Sequence, residues 1–279
     1  MRIKYYDIER IHVDLVLRDS NFVMPEDHYH PYYELYYVSH GTCCFFLKDT
    51  IYEMKQGDFI LIAPRELHHT LYLDNASCER IAIYFRRSDI MTADFPELPN
   101  FKERFLTSSV FSVPDIYQAQ IMHIINQMLS EEKLMDDASD YMMKLLLKQL
   151  LLTCNRYCTL AQDTLARIST NDSDVLAAAK YISLHYTEPI SLETIASIAG
   201  LSPTYFSKKF KATTGLGFRE YLIYARLKKA SLELLTTSDS ITNIALNCGF
   251  SNSNYFKDAF KNAYGLSPRE FRKVGNADI

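Results

Sequence analysis

The sequence predicts an α+β fold in two parts. The first is a barrel or sandwich of short strands followed by helices. The second is an all-α part of two helix-turn-helix units joined by a linker helix. Three observations carry this reading. Up to about residue 90, short β-branched or aromatic runs alternate with turn residues. From Asp115 onward the segments are long, free of breakers and helical in composition. The C-terminal stretch contains an internal repeat. A chain of 279 residues is long for one core and fits two domains, read here as 1–161 and 173–279. Gln162–Ser173, polar and mixed in charge, reads as the linker between them.

The expected strands are Ile11–Leu17, Glu34–Val38, Cys43–Leu47, Phe59–Ala63 and Glu79–Phe85. Ser39-His40-Gly41 and Lys55-Gln56-Gly57-Asp58 read as breaks between them. Short strands at this spacing suit a barrel or sandwich. Two helices, Asp115–Ser130 and Ala138–Tyr157, follow. Within the second, Tyr141–Leu152 is apolar on nearly every face apart from Lys144, Lys148 and Gln149. Such a helix needs cover on more than one side. The strands can supply one side and a second copy of the chain the other, so a homodimer is expected. The same run is too short and too charged to span a bilayer, so no membrane partner is expected.

The opening residues, MRIKYYDIER, lack the apolar core of a signal peptide. Six cysteines are present with no C-x-x-C pair. Together these features suggest reduced thiols and a cytoplasmic location. The formal net charge of −4 hides an asymmetry. Residues 173–279 carry 13 Lys/Arg against 9 Asp/Glu, whereas residues 1–172 carry 17 against 25. The basic part suits a polyanion and the acidic part does not. No Gly-rich phosphate loop and no Gly-x-Ser-x-Gly elbow is present, so these enzyme classes have no support.

One copy of the repeat runs Ile195-Ala196, Gly200-Leu201-Ser202, Tyr205-Phe206, Phe210-Lys211, Gly215. The other runs Ile244-Ala245, Gly249-Phe250-Ser251, Tyr255-Phe256, Phe260-Lys261, Gly265. The tails Arg219-Glu220-Tyr221 and Arg269-Glu270-Phe271 also match. The offset is 49 residues before the turn and 50 after it, so the second turn holds one extra residue.

Each copy has helix-turn-helix grammar. Ser191 can N-cap a helix ending near Ala199, and Gly200 can take the positive φ of its C-terminus. Ser202 can cap the second helix, with Pro203 where a missing N–H costs nothing. Phe206 and Phe210 then face inward, leaving Thr204, Ser207, Lys208 and Lys211 outside. In the second copy Phe256, Ala259, Phe260 and Ala263 make the buried stripe, and Ser253, Asn254 and Lys257 point out. The start of such a second helix enters the DNA major groove. There Asn pairs with adenine edges, Lys with guanine, and Ser or Thr with either. Lys211, Lys261, Lys228 and Lys229 are suited to phosphates. The linker helix Phe218–Leu235 spans about 27 Å. A rigid spacer of that length can set two recognition helices about 34 Å apart, one turn of duplex. A single glycine-hinged helix pair occurs in ordinary α-proteins; two spaced copies on a basic segment do not have that ready explanation.

Ser191–Lys273 resembles the DNA-binding domain of the AraC/XylS family of transcription regulators. The resemblance rests on Ile241-Thr-Asn-Ile-Ala-Leu-Asn-Cys-Gly-Phe-Ser, on Tyr255-Phe256 and Phe260-Lys261, and on Gly265-Leu-Ser-Pro-Arg-Glu-Phe-Arg272. It implies a transcription regulator, usually an activator, that binds double-stranded DNA and contacts RNA polymerase. It also implies base contacts at Thr204, Ser207 and Lys208, and at Ser253, Asn254 and Lys257. Asp258 departs from the pattern, since an outward acid beside the groove is unusual.

In the N-terminal part, His28-Tyr-His30-Pro-Tyr-Tyr-Glu34 runs on to Gly41 as H-x-H-x3-E-x6-G, which resembles the first cupin motif. Gly57-Asp58, Pro64 and His68 resemble the second, without its second glycine. His30, Glu34 and Tyr36 share strand parity and would face the interior of a cupin-like barrel. Three readings stay open. The cluster could hold a metal for catalysis, as Fe, Mn, Ni or Zn sites do. It could hydrogen-bond a small molecule between aromatic walls. It could be structural. In regulators of the resembled family such barrels usually sense an effector, commonly a sugar, without a catalytic metal. His28, His30, Glu34, Tyr36 and His68 are therefore the expected effector-binding residues, Tyr32, Tyr33 and Tyr37 fit a stacking pocket, and no metal, cofactor or enzymatic activity is expected.

Overall fold

A computed structural model describes residues 8–19, 30–47, 50–72, 77–91, 101–160 and 173–275. The chain divides into two compact units between Ser169 and Thr170. Residues 162–172 of the expected linker lie outside the described residues, and Ser173 opens a helix.

The N-terminal unit is β-structure backed by helices, as the sequence predicts, and its strands pair antiparallel. Its strands are β1 (His12–Asp19), β2 (Tyr33–Leu47), β3 (Thr50–Lys55), β4 (Asp58–Ile62), β5 (His68–Leu71), β6 (Ser77–Phe85), β7 (Ser109–Ser112) and β8 (Thr159–Leu160). Hydrogen bonding runs β1-β6-β2-β4-β7-β8. The first half of β2 pairs with β4 and β6, and its second half with β3 and β5, so one long strand serves both ladders.

The expected break at Ser39-His40-Gly41 is instead a bulge within β2. The register against β6 shifts between Val38 and His40. Gly41 takes φ +81°, and a Cβ there would stand 1.9 Å from the Ser77 carbonyl oxygen. The turn-like residues thus bend the strand without ending it. Lys55–Asp58 is a true turn between β3 and β4, with Gly57 at φ +90°.

Period-2 alternation sorts the strands onto two faces. Leu35, Tyr37, Phe59, Leu61, Ile81, Ile83 and Phe85 form one core with helices α3 (Asp115–Leu134) and α4 (Ser139–Tyr157). Tyr36, Val38, Phe45, Leu47, Met54, Ile60 and Ile62 form a second core on the inner face. Both faces of β2 and β4 are covered, which is why they read as continuous apolar runs. Short helices α1 (Arg87–Ile90) and α2 (Phe101–Phe105) complete the unit. On α4, Met143, Leu147, Leu150 and Leu151 are buried in the first core, while Tyr141, Met142 and Leu145 are exposed.

The C-terminal unit is all helix: α5 (Ser173–His185), α6 (Leu192–Ile198), α7 (Pro203–Thr214), α8 (Phe218–Thr236), α9 (Ile241–Asn247), α10 (Ser253–Tyr264) and α11 (Pro268–Gly275). The repeat spans three helices a copy, α6-α7-α8 against α9-α10-α11. The matched tails are helix starts. Glu220 accepts from the Gly217 backbone N–H at 3.0 Å and Glu270 from that of Ser267 at 2.8 Å. Behind them Tyr221 meets Phe210 edge-on at 5.2 Å, as Phe271 meets Phe260 at 5.3 Å. Among the described residues, no helix is long and apolar enough to cross a membrane.

Candidate nucleic-acid interface and effector site

Each helix-turn-helix is held by local bonds that its sequence specifies. Ser191 Oγ accepts from Thr194 N–H at 3.1 Å to start α6, and Ser240 Oγ accepts from Asn243 N–H at 3.1 Å to start α9. Both first helices end in the same glycine motif. Gly200 N–H donates to Ser197 O and Leu201 N–H to Ala196 O; Gly249 N–H donates to Leu246 O and Phe250 N–H to Ala245 O. Ser202 then caps α7. The equivalent cap of α10 is Asn252, whose Oδ1 accepts from Asn254 and Tyr255 N–H at 2.8 and 3.2 Å. The extra residue of the second turn is therefore Ser251.

Side chains sort as the pattern predicts. Phe206, Phe210, Phe256, Phe260 and Ala263 are buried, and Ala259 is half-buried. Thr204, Lys208 and Lys211 on α7 are exposed, as are Asn254, Lys257 and Lys261 on α10. Ser207 and Ser253 are half-buried. Asp258 is exposed next to Lys257, and Lys228 and Lys229 are exposed on α8. Sequence reasoning passed over Tyr205 and Tyr255, which are 56% and 51% exposed at equivalent places near the starts of α7 and α10. The repeated Tyr-Phe pair was the available signal, because only its Phe is needed for the core.

In the N-terminal unit the inner face gathers three of the expected residues. Glu34 is 5%, His30 8% and His68 2% exposed. Glu34 Oε2 lies 2.9 Å from His30 Nε2 and 3.4 Å from His68 Nε2. Burial works to raise the Glu34 carboxyl, but hydrogen bonds and charge from His30 and His68 hold it well below the usual carboxylate range. Tyr36 sits in the neighbouring apolar core, 5.0 Å edge-on to Phe45, with burial pushing its phenol up. His28 lies outside the described residues. Tyr33 and Tyr37 are on the opposite face, in the helix-backed core, so they cannot line this pocket. Their one-residue offset from Glu34 and Tyr36 reverses their direction.

The neighbouring Tyr32 and two residues distant in sequence, Tyr84 and Arg80, complete the cluster. Tyr32 stacks on His30 at 4.3 Å and meets Tyr84 edge-on at 5.7 Å. Tyr84 is the cross-strand partner of Glu34. Burial and the Glu34 charge raise its phenol well above the usual value. Arg80, on the same face of β6, pairs with Asp14 of β1. Burial opposes its charge, but Tyr84, Asp14 and Glu34 outweigh that and raise its pKa. The arrangement offers acids, imidazoles, phenols and aromatic faces to a polar ligand.

An AraC-like ligand-binding domain matches residues 13–146, and a helix-turn-helix domain matches residues 195–274. The chain belongs to the AraC/XylS family of transcription regulators. It is 25% identical over 277 residues to the HTH-type transcriptional activator RhaS of Escherichia fergusonii, spanning 99% of this chain and 98% of that one. The C-terminal part is 41% identical over 107 residues to the Regulatory protein PocR of Salmonella typhimurium, 38% of this chain and 35% of that one. Among solved structures, the C-terminal domain of AraT, a response regulator from Geobacillus stearothermophilus, is 35% identical, covering 39% of this chain and 88% of that one with a TM-score of 0.36. As a member of the AraC/XylS family, the chain is an effector-controlled transcription regulator with a DNA-binding helix-turn-helix domain.

Proposed function

We propose that the chain is an activator that reads two successive major grooves with α7 and α10, under control of a small molecule bound on the inner face of the N-terminal sheet. The observation that carries this reading is the duplicated helix-turn-helix. Both copies share cap, glycine turn and buried Phe pair, and both leave polar and basic side chains outside. Thr204, Ser207 and Lys208 read bases in the first copy, and Ser253, Asn254 and Lys257 in the second. Lys211 and Lys261 hold phosphates. The activator direction rests on the RhaS relatives, which are transcriptional activators, and entails contact with RNA polymerase. Residues 1–161 serve as effector and dimerisation domain and 173–279 as DNA-binding domain. The protein works in the cytoplasm as a regulator, not an enzyme.

The effector exchanges hydrogen bonds with His28, His30 and His68 and donates to the Glu34 carboxylate, beside Tyr36, and the Tyr32 and Tyr84 rings add faces suited to a carbohydrate. Binding favours one of two conformations and so shifts DNA affinity. Dimerisation through Tyr141, Met142 and Leu145 would cover an exposed apolar stripe on α4. A monomer in sedimentation at micromolar concentration would remove that part.

The test is fluorescence anisotropy on DNA upstream of the adjacent genes. Lys208→Ala with Lys257→Ala should cost about 2–6 kcal/mol, at least ~30-fold in specific affinity. Unchanged affinity sinks the base-contact assignment. A thermal-shift screen of carbohydrates should find a stabilising ligand whose effect is lost in Tyr84→Ala. A flat screen favours control by a protein partner or by abundance.

A further inference from the structure

The buried cluster on the inner face is arranged as a metal site. The ligating atoms of His30, Glu34 and His68 all lie within 4.8 Å of one another, and all three residues are buried. The backbone sets both imidazole tautomers. A carbonyl oxygen only accepts, so the contacts from His30 Nδ1 to Tyr32 O at 2.8 Å and from His68 Nδ1 to Glu66 O at 2.9 Å put a proton on each Nδ1. Each ring therefore turns Nε2 toward the Glu34 carboxylate.

A divalent cation among the three ligating atoms would be met by two ring nitrogens and a carboxylate oxygen at once. Nδ1–H donated to a carbonyl with Nε2 left as donor atom is the arrangement metal-binding histidines use.

The spacing agrees. Two donors about 2.1 Å from an ion and about 90–109° apart stand about 3.0–3.4 Å from each other. The separations from Glu34 Oε2 are 2.9 and 3.4 Å. Tyr32 stacked on His30 and Phe45 parallel to His68 at 5.9 Å hold the rings in place.

We propose that His30 Nε2, the Glu34 carboxylate and His68 Nε2 bind one divalent first-row transition-metal ion. Two imidazoles and a carboxylate suit such an ion, and they leave at least one position open to water or to an oxygen of a bound small molecule. The proposal runs against the expectation drawn from the sequence that the site holds no metal. The proposal stands apart from the effector reading, because metal binding by a chain with no small effector would still meet it.

The test uses the full chain, stripped with a chelator, dialysed against Zn(II) or Co(II) and then freed of loose ion. About one equivalent per chain should remain by elemental analysis, and the Co(II) form should show visible ligand-field bands. His30→Ala, His68→Ala and the near-isosteric Glu34→Gln should each lower Co(II) affinity by about 100-fold or more, since even outer-shell changes cost about 10–100-fold. His123→Ala, an exposed histidine on α3, should change nothing. Circular dichroism separates loss of ligand from loss of fold. If the variants unfold, the native chain decides: a Co(II) spectrum with nitrogen-ligand character supports the site. Retention well below one equivalent, or wild-type affinity in folded His30→Ala and His68→Ala, overturns it.

Discussion

The two helix-turn-helix units share one sequence grammar and are braced differently. At the first turn, a Cβ added to Gly200 would meet nothing within 4 Å. At the second, a Cβ on Gly249 would stand 2.9 Å from Thr187 Cα and from Tyr186 O, and 3.0 Å from Arg226 Nε. Arg226, on α8, donates to Tyr186 O at 2.7 Å and Glu188 O at 2.9 Å, with its guanidinium over the Phe250 ring at 5.9 Å. The first unit's long-range tie is an ion pair, Lys209 on α7 to both carboxylate oxygens of Asp174 on α5 at 2.8 and 2.9 Å. The lesson is that a glycine can be kept for its φ alone or for φ and space together. The second turn is packed into the unit, whereas the first stands in the open.

The largest expected contrast follows from those glycines. Both take positive φ, so Gly200→Ala should cost about 1 kcal/mol of strain. Gly249→Ala adds overlap with fixed backbone and should cost about 3 kcal/mol or more. Equal losses in chemical denaturation would break the comparison. Next come the ties. Arg226→Ala strips donors from two carbonyls and should cost about 2 kcal/mol. Lys209→Ala loses a partly exposed ion pair and should cost about 1 kcal/mol or less, with the loss shrinking further in high salt. The caps should differ less. Asn252 accepts two backbone N–H groups, whereas Ser202 accepts one at 3.4 Å. Asn252→Ala should therefore cost about 1 kcal/mol and Ser202→Ala about half that, read as shifts in melting temperature. The smallest effect is on DNA. Removing the outward acid with Asp258→Asn should raise operator affinity about two-fold at low salt and do nothing at high salt. A fall in affinity would instead make Asp258 a base-reading acceptor.

Much of this contrast was legible in the chain, and the part that was not has physical reasons. The 49-then-50 offset located an extra residue in the second turn, but Ser251 and Asn252 are both capping types, so local chemistry could not say which one caps α10. The Phe pairs announced the cores because a helix repeats every 3.6 residues and its buried stripe is local information. The sheet was less legible. Ser39-His40-Gly41 has turn composition, and only the close approach of Ser77 shows that β2 bends through it. Short β5 and β7, and the two-residue β8, left no period to read.

The candidate effector site divides in the same way. Strand parity alone put Glu34 and Tyr36 on one face, and the H-x-H-x3-E spacing picked out His30. Sequence also set Tyr33 and Tyr37 on the opposite parity, although their residue type suggested pocket walls. The second motif had already picked out His68, whereas the arrival of Tyr84 and Arg80 beside Glu34 was decided only by tertiary structure. Tyr84 reaches it through the β2–β6 register, and His68 through the second ladder of β2. Helix caps, glycine turns and face alternation are bonds between near neighbours, so the sequence by itself determined them. Cross-strand register and the packing room around a glycine depend on residues tens of positions away, and only the folded chain brings those together.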